Sequence, residues 1–70
     1  MRPADEGVLT YRGAALFKLE RYAAALADFT QVLRLVPHDP VALNNMGCCL
    51  FRLARYDDAI AYFSASLQAK

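Results

Sequence analysis

Side chains that could carry catalysis or hold a metal are few in this chain and lie far apart. The one histidine, His38, stands in a turn sequence beside Asp39, with no nucleophile and oriented base nearby. Cys48 and Cys49 are adjacent rather than spaced as in Cys-x2-Cys, and one distant histidine cannot complete a tetrahedral metal site. We therefore expect no catalytic residue, no metal site and no cofactor.

The remaining reactive side chains have structural explanations. Asp57 and Asp58 open a predicted helix, where acidic residues complement the helix dipole. Neighbouring helical side chains point about 100° apart, so a disulfide between Cys48 and Cys49 is not expected. Cys49 is expected to be a small core residue, and Cys48 is the better candidate for an exposed thiol. No glycine-rich phosphate loop is present, and an enzyme with a small-molecule substrate is the least favoured function.

The composition argues against nucleic acid and membranes as partners. Among 70 residues, eight Lys or Arg face seven Asp or Glu, for a formal net charge of +1. Such a neutral chain gives no reason to expect the phosphate neutralisation that drives nucleic-acid binding. No apolar run approaches the roughly 18 residues of a membrane-spanning helix, and the first residues lack a signal peptide's apolar core. Without a disulfide framework, a reducing compartment is expected, and the predicted location is the cytoplasm.

An internal repeat defines the elements that must position these side chains. At an offset of 34 residues, residues 6–36 align with residues 40–70, and 11 of the 31 pairs are identical. Self-similarity at this period is typical of stacked helical units. The identical pairs include Gly13/Gly47, Phe17/Phe51, Tyr22/Tyr56, Ala25/Ala59 and Phe29/Phe63.

Each repeat is predicted to be two amphipathic helices, because its apolar residues recur every three or four positions. Asp5 and Asp39 are placed to cap helix N-termini, and the prolines at 37 and 40 bar a continuous helix between the repeats. The predicted helices lie near residues 5–19, 22–36, 40–53 and 56–69. The chain then divides into a lead at 1–5, a first repeat at 6–39 and a second at 40–70.

Both repeats contain the pattern Leu-x3-Gly-x2-Leu-Phe-x-Leu-x2-Tyr-x2-Ala-x3-Phe-x3-Leu, and in the first a proline follows the last Phe by eight residues. This pattern resembles the tetratricopeptide repeat over nearly the whole chain, from about Glu6 to Lys70. The resemblance implies an all-α fold in which two antiparallel helical hairpins stack as a right-handed α-solenoid. Gly13 and Ala25 would let paired helices approach closely, with Phe29 filling the space above the contact.

Two features depart from the family's pattern. The hairpin turns carry Glu20 and Ala54 where glycine is usual, and a left-handed conformation costs such residues about 1 kcal/mol. We therefore expect either a different turn or a modest loss of stability. Arg12 replaces a large apolar residue, which suits a solvated N-terminal edge.

The resemblance also implies a concave groove, lined by the first helix of each repeat, that holds a peptide or helix of a partner protein. By position, the groove residues are Thr10, Ala14, Phe17, Lys18, Val41, Asn44, Asn45, Cys48, Phe51 and Arg52. The two phenylalanines are either anchors for a partner or partly buried packing residues, and both readings stay open. A carboxylate clamp for chaperone tails is not expected: Asn45 matches it, but Thr10 and Ala14 replace its lysine and asparagine.

The leading prediction is thus a protein-binding module with a scaffold or adaptor role. The alternative is a self-associating unit, a homodimer or a piece of a longer array whose partner is another copy or the next repeat. It rests on an apolar stripe on the last helix that nothing in the chain is expected to cover. That stripe consists of Ile60, Phe63 and Leu67.

Overall fold

The structure is a computed structural model that describes residues 5–69. Within that range it contains four helices and no strand, and every helix boundary lies within one residue of its predicted position. The all-α prediction is confirmed, whereas the predicted lead, apart from Asp5, and Lys70 lie outside the described residues. The helices are α1 (Glu6–Lys18), α2 (Tyr22–Leu35), α3 (Pro40–Arg52) and α4 (Tyr56–Gln68).

The helices form two antiparallel hairpins that stack as an α-solenoid. α1 packs on α2, α3 packs on α4, and the hairpins meet where α2 packs on α3. The predicted caps are present: the Asp5 carboxylate accepts the Gly7 N–H at 2.8 Å, and the Asp39 carboxylate accepts the Ala42 N–H at 3.3 Å. These bonds satisfy amide groups that the first helical turn leaves free.

Both hairpin turns keep a left-handed residue although neither contains glycine. Glu20 and Ala54 each have φ of 63°. In the first turn, the Glu20 N–H donates to the Phe17 carbonyl at 2.9 Å and the Arg21 N–H to the Leu16 carbonyl at 2.8 Å. This is the Schellman motif that glycine usually closes. The expectation of a different turn is therefore wrong, and a cost in stability stays a prediction.

Replacing Ala54 with glycine is expected to raise the free energy of unfolding by roughly 0.5–1 kcal/mol, because glycine adopts positive φ without strain. Urea denaturation followed by circular dichroism measures the change. The matched control is Ala61→Gly on the exposed side of α4, which should lower stability by about as much. If both substitutions changed the free energy of unfolding in the same direction, the backbone at Ala54 would not be strained.

The core lies where the hairpins meet. Ala25 and Phe29 of α2 form one buried cluster with Met46 and Cys49 of α3. The Phe29 ring lies so close to Gly13 that a Cβ there would stand 2.7 Å from its Cε1 atom. This contact confirms the predicted close approach of α1 and α2.

One part of the predicted apolar stripes does not reach the core. Leu19 is 64% exposed because α1 ends at Lys18, so Leu19 already belongs to the turn. Its equivalent Leu53 follows Arg52 in the same way and is also exposed. Both side chains therefore add little to the buried area that stabilises the fold.

Two polar contacts between helices were not predicted from the sequence. The Arg12 guanidinium donates two hydrogen bonds to the Asp28 carboxylate, each 2.8 Å long. Arg12 is thus exposed, as expected of a solvated edge, but it neutralises a buried acid on α2. The Ser66 hydroxyl donates to the Pro40 carbonyl at 2.8 Å and ties the end of α4 to the start of α3.

Candidate functional site

α1 and α3 lie on either side of a cavity of about 170 Å³, whose deepest part is formed by Phe29 of α2. Its lining is mainly apolar, with a lysine and an asparagine as the polar members. We call this site the α1–α3 groove. Its residues are Ala14, Phe17, Lys18, Phe29, Asn45 and Cys48.

Helical spacing explains why these side chains converge. Ala14, Phe17 and Lys18 are three and four residues apart, as are Asn45 and Cys48, so each set lies on one helix face. Because α1 and α3 occupy the same place in their repeats, the two faces point to the same side of the stack. The small Ala14 side chain leaves the space that a larger residue would fill.

Phe17 is held in place by its neighbours. Its ring packs edge-on against Tyr22, with centroids 5.0 Å apart and planes at 70°. The Arg52 guanidinium lies 6.0 Å from the Phe17 centroid, within the range of a cation–π contact. With Lys18, Arg52 places two cations beside an apolar cavity. This arrangement suits a ligand that has an apolar side chain and a neighbouring acidic group.

A family model described as tetratricopeptide repeat matches residues 12–70, which is most of the chain. The chain belongs to the tetratricopeptide repeat family. Members of this family are in general non-catalytic modules that bind other proteins. A comparison with curated protein sequences gives no match.

Five of the ten predicted groove residues line the α1–α3 groove of this tetratricopeptide pair. They are Ala14, Phe17, Lys18, Asn45 and Cys48. Arg52 reaches the same site through its contact with the Phe17 ring. The repeat pattern predicts Phe29 only as a core residue. It is buried, but it also lines the groove, which its place in the repeat does not reveal.

The other predicted groove residues are not part of this cavity. Thr10 donates its hydroxyl to the Glu6 carbonyl at 2.7 Å. Phe51 packs edge-on against Tyr56, with centroids 5.4 Å apart, and is exposed. Val41 and Asn44 line a second cavity between α3 and α4, of about 550 Å³. Val41 and Asn44 therefore lie outside the α1–α3 groove.

The stripe on α4 is only partly open. Ile60 and Leu67 are 62% and 70% exposed. Phe63 is half-buried, because its ring lies over Gly47 as that of Phe29 lies over Gly13. Phe63 therefore belongs mainly to the packing of its own hairpin, and Ile60 and Leu67 form the exposed part.

The two cysteines differ in burial. Cys49 is fully buried, as predicted, and burial, with a smaller contribution from the neighbouring Cys48, raises its pKa to about 11. Its thiol therefore stays protonated at neutral pH and is a poor nucleophile. Cys48 is half-buried in the groove, and neither cysteine forms a disulfide.

Among residues 5–69, no group of three or more His, Cys, Asp or Glu is placed to hold a metal ion. None of the described helices is long and apolar enough to cross a membrane. Asp57 and Asp58 lie in the first turn of α4, and the Asp58 carboxylate forms an exposed ion pair with Arg55 at 2.7 Å.

Proposed function

We propose that this tetratricopeptide pair binds a peptide segment of a partner protein in the α1–α3 groove. The observation that carries the proposal is the cavity itself, which joins the predicted groove faces of both repeats over a buried aromatic floor. A chain with this function acts as an adaptor or scaffold. Its free thiols fit a reducing compartment, so we place this role in the cytoplasm.

The lining of the groove defines the kind of peptide that it suits. A cavity of about 170 Å³ accommodates one large apolar side chain between Phe17 and Phe29. The Asn45 amide can both donate and accept hydrogen bonds, as a peptide backbone requires. Lys18 and Arg52 favour an acidic residue beside the apolar anchor. The proposed ligand is therefore an extended segment with an apolar anchor and an acidic neighbour.

The proposal is tested by selecting binders from a displayed library of random linear peptides. The wild-type chain is expected to enrich peptides with one apolar anchor. Ala14→Glu, which fills the cavity with a charged side chain, should weaken their binding at least about tenfold. The matched control is Ala15→Glu on the next residue, which is exposed but does not line the groove and should leave binding unchanged.

The selected peptides also show whether apolar contacts or charges contribute more to binding. Phe17→Ala should weaken binding more than Lys18→Ala, because desolvated apolar anchors outweigh exposed charges. Circular dichroism and fluorescence anisotropy of labelled peptides check folding and affinity, respectively. If Ala14→Glu and Ala15→Glu changed peptide affinity equally, or if the library yielded no binder, the proposal that the groove binds a peptide would be refuted.

A further inference from the structure

Two cations from different hairpins meet at one end of the α1–α3 groove. Lys18 is the last residue of α1 and lines the groove. Arg52 is the last residue of α3, and its guanidinium carbon lies 6.0 Å from the centroid of the Phe17 ring. The two cations are 34 residues apart and occupy equivalent positions in their repeats. Stacking of the repeats therefore brings both positive charges to the same end of an apolar cavity.

Neither of these cations forms an ion pair within residues 5–69. The ion pairs in that range involve Arg12 and Arg55, and Glu20, the acid nearest to Lys18 in the sequence, forms none. A cation in the last turn of a helix is favoured by the helix dipole, which accounts for each charge singly. Arg34 has the same place on α2 but lines no part of the groove. What distinguishes the other two is that both charges are open to one anion.

The spacing between the apolar and basic parts of the groove matches that of an extended peptide. Lys18 follows Ala14 by four residues on α1, and Arg52 follows Cys48 by four on α3, which is about 6 Å along each helix. In an extended segment every second side chain points to the same side, with a repeat of about 6.5–7 Å. A segment that runs along the groove can therefore place an apolar anchor beside Ala14 and Cys48 and the side chain two positions away beside the cations.

One side chain of such a segment has to supply the charge that matches both cations, because the residue between it and the anchor points away from the groove. An aspartate or glutamate carries one negative charge and leaves one cation unmatched. A phosphorylated side chain carries about −1.5 to −2 charges at neutral pH and has three acceptor oxygens, so it can form charge-assisted hydrogen bonds with both. The charge and spacing at this end of the groove therefore suit a phosphate group.

We propose that the partner segment bound in the α1–α3 groove is phosphorylated two residues from its apolar anchor, and that Lys18 and Arg52 hold the phosphate between them. This inference rests on the proposed function and adds to it the identity of the acidic group. The chain is then an adaptor whose binding is controlled by phosphorylation of its partner.

The test uses a peptide selected from the displayed library, synthesised with serine, phosphoserine or glutamate two positions before or after its apolar anchor. In fluorescence anisotropy, phosphoserine on one side of the anchor should raise the affinity at least about tenfold over serine. Glutamate at the same position should raise it by no more than about threefold, because it matches one cation only. Phosphoserine on the other side should give a smaller gain, since it points away from the cations.

Lys18→Ala and Arg52→Ala should each remove most of the gain from phosphoserine, while the affinity for the serine peptide changes by less than about threefold. Both side chains are exposed, so circular dichroism should show an unchanged helix content. The matched control is Arg34→Ala, which removes a cation from the last turn of α2, outside the groove, and should leave the gain unchanged.

Three results would overturn the inference: glutamate that binds as well as phosphoserine, a phosphoserine gain that survives both Lys18→Ala and Arg52→Ala, or loss of the gain in Arg34→Ala. The serine peptide separates this inference from the proposed function. If Ala14→Glu does not weaken binding of the serine peptide, the groove is not the binding site. If Ala14→Glu weakens it but phosphoserine adds nothing, the groove binds an unmodified segment and this inference alone fails.

Discussion

Phe29→Ala is expected to lower the free energy of unfolding by about 3–5 kcal/mol, the usual cost of truncating a buried phenylalanine. Phe29 is 2% exposed and packs on Gly13, Met46 and Cys49. A folded chain of this size has only about 4–10 kcal/mol of stability in total. The variant should therefore be partly or wholly unfolded at room temperature. Urea denaturation followed by circular dichroism measures the loss.

The second repeat supplies a matched control for this change. Phe63 makes the same contact with Gly47, but it is only half-buried, because within the described residues no further helix covers α4. At a concentration where the chain is monomeric, Phe63→Ala should cost at least about 1 kcal/mol less than Phe29→Ala. Equal losses would mean that stacking of α3 on α2 adds nothing to the packing of Phe29.

Gly47→Ala should lower the free energy of unfolding by about 1–3 kcal/mol, although alanine is the better helix former. The added Cβ would stand 2.6 Å from the Cε1 atom and 2.7 Å from the Cδ1 atom of the Phe63 ring. Such distances force the ring or one of the helices to move. Thermal unfolding monitored by circular dichroism reports the change.

The same substitution elsewhere in the chain separates crowding from helix propensity. Among residues 5–69, a Cβ added at Gly7 would meet only the Asp5 Oδ1 atom within 4 Å, at 3.1 Å, and a shift of a few tenths of an ångström relieves this contact without breaking the cap. Gly7→Ala should therefore leave stability within about 0.5 kcal/mol or raise it. In the Gly47→Ala background, Phe63→Leu should recover part of the loss, since the two positions are in contact. If the effects of Gly47→Ala and Phe63→Leu on the free energy of unfolding simply added, the close contact between these two positions would be contradicted.

Much of this architecture was determined by the sequence alone. The 34-residue period and the Asp5 and Asp39 caps placed all four helices within one residue. The paired Gly13 and Phe29 also predicted the close approach of α1 and α2. These features are local or periodic, so each can be identified from neighbouring residues without knowing how the helices pack.

The tertiary structure alone decided which equivalent residues differ in environment. Leu33 and Leu67 are the same residue at the same repeat position, yet one is half-buried and the other 70% exposed. Arg12 and Asp28 are 16 residues apart on different helices, and no local pattern pairs them. Burial and ion pairing depend on which helix lies next to a side chain. Within residues 5–69, α3 packs on α2 but no helix packs in the same way on α4, so equivalent side chains of α2 and α4 differ in exposure.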